Sequence, residues 1–209
     1  MKINLTVLAK SDKHTGYCVA GIDPKGNFIR LVRDTEGHAL TEEQCKFKKM
    51  DQIIADVTHA PLKHQGENCV LNELLETRKT STSINDFKRH LQEPSSIFGS
   101  DKPWLSEEEM RNKKATFLFV EISDLHIHLN DEEKYKADFT YKNQPYEGFS
   151  ITDPEYKTKA RKISKAVVLI SLPDSPYNRY GSNLYYKFIC AVYPLGNSQK
   201  SHDLDCYMI

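Results

Sequence analysis

The feature that most constrains this chain is a recurring two-residue period. Ile3, Leu5, Val7 and Ala9 alternate with more polar neighbours. Near the other end Leu184, Tyr186, Phe188, Cys190 and Val192 do the same. A period of two sends alternate side chains to opposite faces, as a half-buried strand requires. Further segments read as strands: Tyr17–Ile22, Phe28–Val32, Gln52–Leu62, Ala115–Ile122, Leu125–Leu129, Lys136–Tyr141, Tyr146–Ile151 and Lys165–Leu172. Cys69–Thr77 fits either a strand or a short helix, because its periodicity favours neither. Asp23-Pro24-Lys25-Gly26 joins two of the strands, and Pro after Asp with Gly at the fourth position predicts a tight type I turn and a hairpin.

Helical signals are few and short. Thr41-Glu42-Glu43-Gln44 and Ser106-Glu107-Glu108-Glu109 are capping boxes, the first expected to open a helix ending near Phe47. Ser83 precedes Ile84, Phe87 and Leu91, whose spacing predicts a short amphipathic helix. Many short strands with few helices indicate a mostly β protein of barrel or sandwich type. We divide the chain into a first module (1–80), a helical connector (81–114), a second module (115–196) and a polar tail (197–209). Two OB-like barrels are the expected architecture.

Composition narrows the function classes. The chain has 29 basic and 29 acidic side chains, so its formal net charge is zero. Non-specific binding to nucleic acid draws on phosphate neutralisation by a basic surface, so any such role here rests on local patches. No apolar run approaches the roughly 20 residues of a membrane span. Cys18, Cys45, Cys69, Cys190 and Cys206 are odd in number and form no C-x-x-C, which fits buried thiols and a cytoplasmic location better than a zinc ribbon or redox dithiol. No P-loop, Rossmann glycine pattern, G-x-S-x-G or H-E-x-x-H is present. We expect no catalytic residue, no cofactor and no membrane partner.

Lys10-Ser11-x-Lys13-His14-x-Gly16-Tyr17-Cys18-Val19-Ala20-Gly21-Ile22-Asp23, followed by Gly26-x-Phe28-Ile29-Arg30-Leu31-Val32, resembles the start of the bacterial dual OB-containing domain family. Ile151-Thr152-Asp153-Pro154 and Tyr185-Tyr186-Lys187-Phe188-Ile189-Cys190-Ala191-Val192 extend the resemblance toward Pro194. Many relatives have Trp where this chain has Phe28. The resemblance implies two OB-like barrels and a role in nucleic-acid binding, and brings no catalytic residues with it.

Two basic-aromatic groups are the candidate binding residues. Lys10, Lys13, His14, Arg30 and Arg33 cluster around the opening hairpin, and Phe28 shares a strand face with Arg30. Tyr185, Lys187 and Tyr193 share a face of the last strand, with Arg179 and Tyr180 nearby. OB folds hold single strands with cations on phosphates and rings on bases. The competing reading of both groups is solvated strand ends and rim tyrosines. The run Lys157, Lys159, Arg161, Lys162, Lys165 reads as a solvated connector, and Trp104 as an anchor for the connector. His126 and His128 place two rings on one strand face and Asp124 has the same parity, but no Cys or Glu partner follows at motif spacing, so no metal is expected.

The leading expectation is a non-catalytic module for single-stranded DNA or RNA or a nucleotide-derived ligand. One alternative is a small nucleotide-processing enzyme with His14, Thr152 and Asp153 at a cleft between modules. The other is a scaffold whose apolar and tyrosine-rich faces meet a protein partner.

Overall fold

The computed structural model describes residues 1–13, 16–113, 115–179 and 181–196; the predicted tail at 197–209 falls outside the described residues. Five strands close the first barrel: β1 (Lys2–Lys13), β2 (Gly16–Ile22), β3 (Phe28–Val32), β4 (Gln52–His59) and β5 (Asn68–Arg78), in spatial order β1-β2-β3-β5-β4. All pairings are antiparallel except β3 with β5. The ambiguous Cys69–Thr77 segment is therefore a strand, held on both edges.

The connector carries a 3-10 helix, Ile84–His90, capped by Ser83, and a second 3-10 turn at Ile97–Gly99. A short strand β6 (Trp104–Ser106) leads into α1 (Glu107–Arg111), whose Ser106–Glu109 capping box is complete. The second barrel repeats the first. Its strands are β7 (Phe117–Leu129), β8 (Tyr135–Tyr141), β9 (Gln144–Ile151), β10 (Arg161–Ser171) and, last in the chain, β13 (Phe188–Pro194). They close in the order β7-β8-β9-β13-β10, with β9 and β13 parallel. Each barrel thus follows the strand order 1-2-3-5-4. Between the fourth and fifth strands of the second barrel, the chain inserts β11 (Tyr177–Arg179) and β12 (Ser182–Tyr186). These pair with β6 as a separate three-stranded sheet.

Two expectations need correction. The Thr41–Gln44 box forms, with Thr41 N donating to Gln44 Oε1 at 3.0 Å, yet it closes a single turn and no helix follows. The expected strand Leu184–Tyr193 is broken at Lys187, whose backbone N–H leaves the ladder and donates to Pro103 O at 2.9 Å. Tyr185 and Tyr193 therefore lie in different sheets.

The arrangement of the core explains the longest apolar runs. Ala166, Val168 and Ile170 point into the second barrel with Leu118, Val120, Ile122 and Phe149. Their neighbours Val167 and Leu169 point outward, as do Phe117 and Phe119, and are buried as well. They meet Leu8, Ala9, Ala20 and Ile22 from the outer face of the first barrel, whose own interior holds Leu5, Val7, Val19, Leu31 and Phe47. A strand buried on both faces has no polar side, so a continuous apolar run results. In β1 an irregularity between Val7 and Ala9 turns Leu8 and Ala9 together toward the seam between the barrels. Phe28 packs on the rings of Phe117 and Phe119, with centroids 6.2 and 6.1 Å away.

Because Phe119 is fully buried in a seam that both barrels share, Phe119→Ala is expected to cost about 3–5 kcal/mol. The wild-type chain should unfold in urea as one transition when followed by both circular dichroism and Trp104 fluorescence. Two separate wild-type transitions, or an unmoved midpoint in the variant, would contradict a shared seam.

Candidate functional site: the cleft between the barrels

Beside the apolar seam the barrels part, leaving a cleft of about 410 Å³. Its first wall comes from the end of β1 with Lys13, from Cys18 and Arg30 on β2 and β3, and from Gln65 in the β4–β5 connection. Its second wall is the inserted segment after β10, including Pro173, Asp174 and Tyr177, together with Tyr186 and Phe188. In OB folds the strand 2–3 face and the loops after strands 1 and 4 form the usual binding surface. Here Cys18 and Arg30 from strands 2 and 3 and Gln65 from the strand 4–5 connection line the cleft, and the second barrel closes its far side.

Arg30 is the polar centre of the interface. Only 5% exposed, it donates to Glu67 Oε1 at 3.1 Å, to Thr116 Oγ1 at 2.9 Å, to Leu172 O at 3.4 Å and to Cys18 Sγ at 3.3 Å. Its guanidinium also lies 4.2 Å from the centroid of the Phe117 ring. Burial pulls the guanidinium pKa down, but Cys18 and Glu67 outweigh it, and the net direction is upward. Arg30 therefore stays charged and tied to groups of both barrels.

Lys49 forms a second such link. Its ammonium reaches Asp153 Oδ2 and Glu155 Oε2, each at 3.0 Å, and sits near the Tyr156 and Tyr193 rings. Burial opposes that charge, while the two carboxylates raise its pKa overall. Asp153 also accepts from Val192 N at 2.9 Å, so this buried carboxylate is fully engaged. Lys157 pairs with Asp12, His64 Nε2 lies 2.7 Å from Pro173 O, and Gln65 donates to Leu172 O at 3.2 Å.

The remaining sequence-derived residues fall into different places. Lys13 is a half-buried cleft residue, 3.8 Å from Asp174 Oδ1 and 3.4 Å from Gly37 O. Lys10 bonds Cys45 O at 2.7 Å and lies over Tyr17, outside the cleft lining. Arg33 is exposed and pairs with Asp34 at 3.3 Å. His14 lies outside the described residues. Arg179 ends β11, and its side chain is likewise outside the described part, as is all of Tyr180.

Lys187 is fully buried, its ammonium donating to Ile97 O and Ser100 O at 2.7 Å each. Burial pulls its pKa down to about 7 against the upward pull of Glu109. Tyr185 is buried edge-on against His64, with centroids 5.5 Å apart. The face expected to carry Tyr185, Lys187 and Tyr193 is therefore interior, and Phe28 is held in the seam.

An aromatic surface partly open to solvent lies one residue away, with Tyr186 and Trp104 half-buried. Tyr186 on β12 pairs in register with Trp104 on β6, with ring centroids 6.3 Å apart. Tyr177 on β11 lies 6.2 Å from Tyr186 on its other side. Tyr177 is 64% exposed. Tyr177 and Tyr186 line the cleft that also holds Lys13. Sequence parity could have offered Tyr186, but only the break at Lys187 shows which parity faces outward.

A family model described as a dual OB-containing domain matches residues 3–192. No curated protein and no solved structure matches the chain. No helix among the described residues is long and apolar enough to cross a membrane.

The geometry separates structural from exposed cations by a stability measurement. Arg30→Ala leaves the largely covered Glu67 carboxylate with the Thr116 hydroxyl but no countercharge, and is expected to cost about 3–5 kcal/mol in urea unfolding. Arg33→Ala should change stability by no more than about 0.5 kcal/mol. Equal effects of the two substitutions would refute the central place given to Arg30.

Proposed function

Since the chain belongs to the dual OB-containing domain family, we propose that it is a non-catalytic binding protein whose cleft takes a nucleotide unit of single-stranded nucleic acid. The observation that carries this reading is the aromatic row Tyr177–Tyr186–Trp104 running into a cleft that also contains Lys13. Aromatic faces stack on any base, and a nearby ammonium attracts phosphate. The volume of about 410 Å³ suits a nucleotide-sized group rather than a long stretch of strand. Gln65 lies in the strand 4–5 connection, one of the loops OB folds use for oligonucleotides, and Lys13 ends β1 at the same cleft. Asp12 and Asp174 also line the cleft, and each carboxylate faces a lysine, Lys157 and Lys13. A phosphate entering there would compete with Asp174 for Lys13, whose 3.8 Å pairing is loose.

Fluorescence anisotropy with labelled oligo-dT and oligo-U at low salt tests the reading. Tyr177→Ala removes a ring worth about 1–3 kcal/mol of stacking and should weaken binding roughly 5- to 150-fold. Lys13→Ala should lower the slope of log affinity against log salt by about one. Absence of measurable binding at low salt, or binding that neither substitution alters, would overturn the proposal.

A further inference from the structure

The second barrel carries a cluster that the cleft does not use. His126 and His128 lie two residues apart on β7, so both rings leave the same face, with centroids 5.3 Å apart. Asp138 on β8 stands directly opposite His126 in the antiparallel register. One donor atom from each of the three residues lies within 4.8 Å of the others. We propose that His126, His128 and Asp138 form a binding site for a divalent transition metal of the zinc type.

Three observations support the site. First, His128 Nδ1 is buried and makes no hydrogen bond, although Asp138 Oδ2 is 3.4 Å away. Ligand atoms about 2.0–2.1 Å from a tetrahedral zinc lie roughly 3.3 Å apart, so this separation is one edge of such a polyhedron. Second, Asp138 is already oriented. Its Oδ1 accepts from Gly148 N at 2.8 Å, leaving Oδ2 toward the histidines. Gly148 supplies that N–H from a backbone φ of +72°, which a side chain would disfavour. A hydrogen bond of this kind fixes the orientation of a ligating carboxylate. Third, the ladder is irregular on both sides of the cluster. Between Ser123 and His126 the β7–β8 register shifts, with Asp124 at a φ of 53°, and β8 shifts against β9 between Ala137 and Phe139. Bulges re-aim side chains and recur beside functional sites.

The donor set selects the metal. Two imidazoles and one carboxylate suit zinc, nickel or copper over calcium or magnesium, which prefer oxygen alone. Because His126 is exposed, the fourth position faces solvent. Lys162 on β10 stands opposite His126, and Lys136 on β8 stands opposite His128, its ammonium donating to Ser150 Oγ at 2.9 Å. These two ammonium groups weaken a cation site and limit its affinity relative to a three-histidine cage.

Titration of the intact protein with zinc in a calorimeter, and with cobalt followed by its visible absorption, tests the site. The expected result is saturable uptake of about one equivalent with a tetrahedral cobalt spectrum. His126→Ala, which alters only an exposed side chain, should weaken uptake at least about 10-fold. Asp138→Asn, which keeps an acceptor for Gly148, should do the same. Circular dichroism confirms that both variants remain folded. No saturable uptake by the wild-type protein, or uptake unchanged in both variants because free thiols or other histidines bind the metal, would overturn the proposal. Oligonucleotide binding is read separately, so failure here leaves the cleft reading standing.

Discussion

Everything in this molecule depends on covering two apolar surfaces that a small barrel cannot hide by itself. The first barrel turns Leu8, Ala9, Ala20 and Ile22 outward, and the second turns Phe117, Phe119, Val167 and Leu169 outward. Either surface alone would be a large exposed apolar patch. Together they form a third core between the two barrel interiors. Apolar burial supplies the driving force but little orientation, because it is non-directional. Orientation comes from the polar links along the seam. Arg30 reaches from β3 to Thr116 and Leu172, while Lys49 reaches Asp153 across the same boundary. Each ties a charge to several acceptors in fixed directions, so a rotated docking would strand a buried ion.

That seam also decides where a ligand can go. Most of the outer strand 2–3 surface of the first barrel packs against the second, including Phe28, the ring a sequence reading would place under a base. What stays open is the rim, where Lys13 and Gln65 meet the segment inserted after β10. The insertion then acquires a role its sequence does not announce. By pairing β11 and β12 with β6 from the connector, it builds a small sheet outside the barrels and lines Tyr177, Tyr186 and Trp104 along it. The aromatic surface is thus assembled from segments more than seventy positions apart.

How legible this was in the sequence varies by residue. The period of two found most of the strands, and the Asp23–Gly26 turn was readable because its chemistry is local. Ser83 and Ser106 capped real turns for the same reason. The Thr41 box misled because a capping box satisfies the first turn without deciding whether a second follows. Tyr185 and Tyr186 show the harder limit. Alternation separates two faces but does not label which is interior, and a one-residue choice moves a ring from the core to the half-open wall of the cleft. Arg30 and Lys187 were unreadable as buried cations because their acceptors, Glu67, Thr116, Ile97 and Ser100, lie far away in sequence. Asp138 escaped for a related reason: antiparallel pairing brings it opposite His126, and no linear spacing encodes that register.

The zero net charge takes on a different meaning once the cations are placed. Arg30, Lys49, Lys10, Lys157 and Lys187 are engaged within the chain, holding loops, barrels and connector to one another. Few positive charges remain at the cleft to neutralise phosphate, and acidic groups share its walls. Counterion release scales with the number of phosphates neutralised, so it can contribute only a small part of any affinity there. Binding in this cleft would draw mainly on ring stacking and shape. On the proposed reading, affinity should therefore depend on salt far less than that of a basic groove.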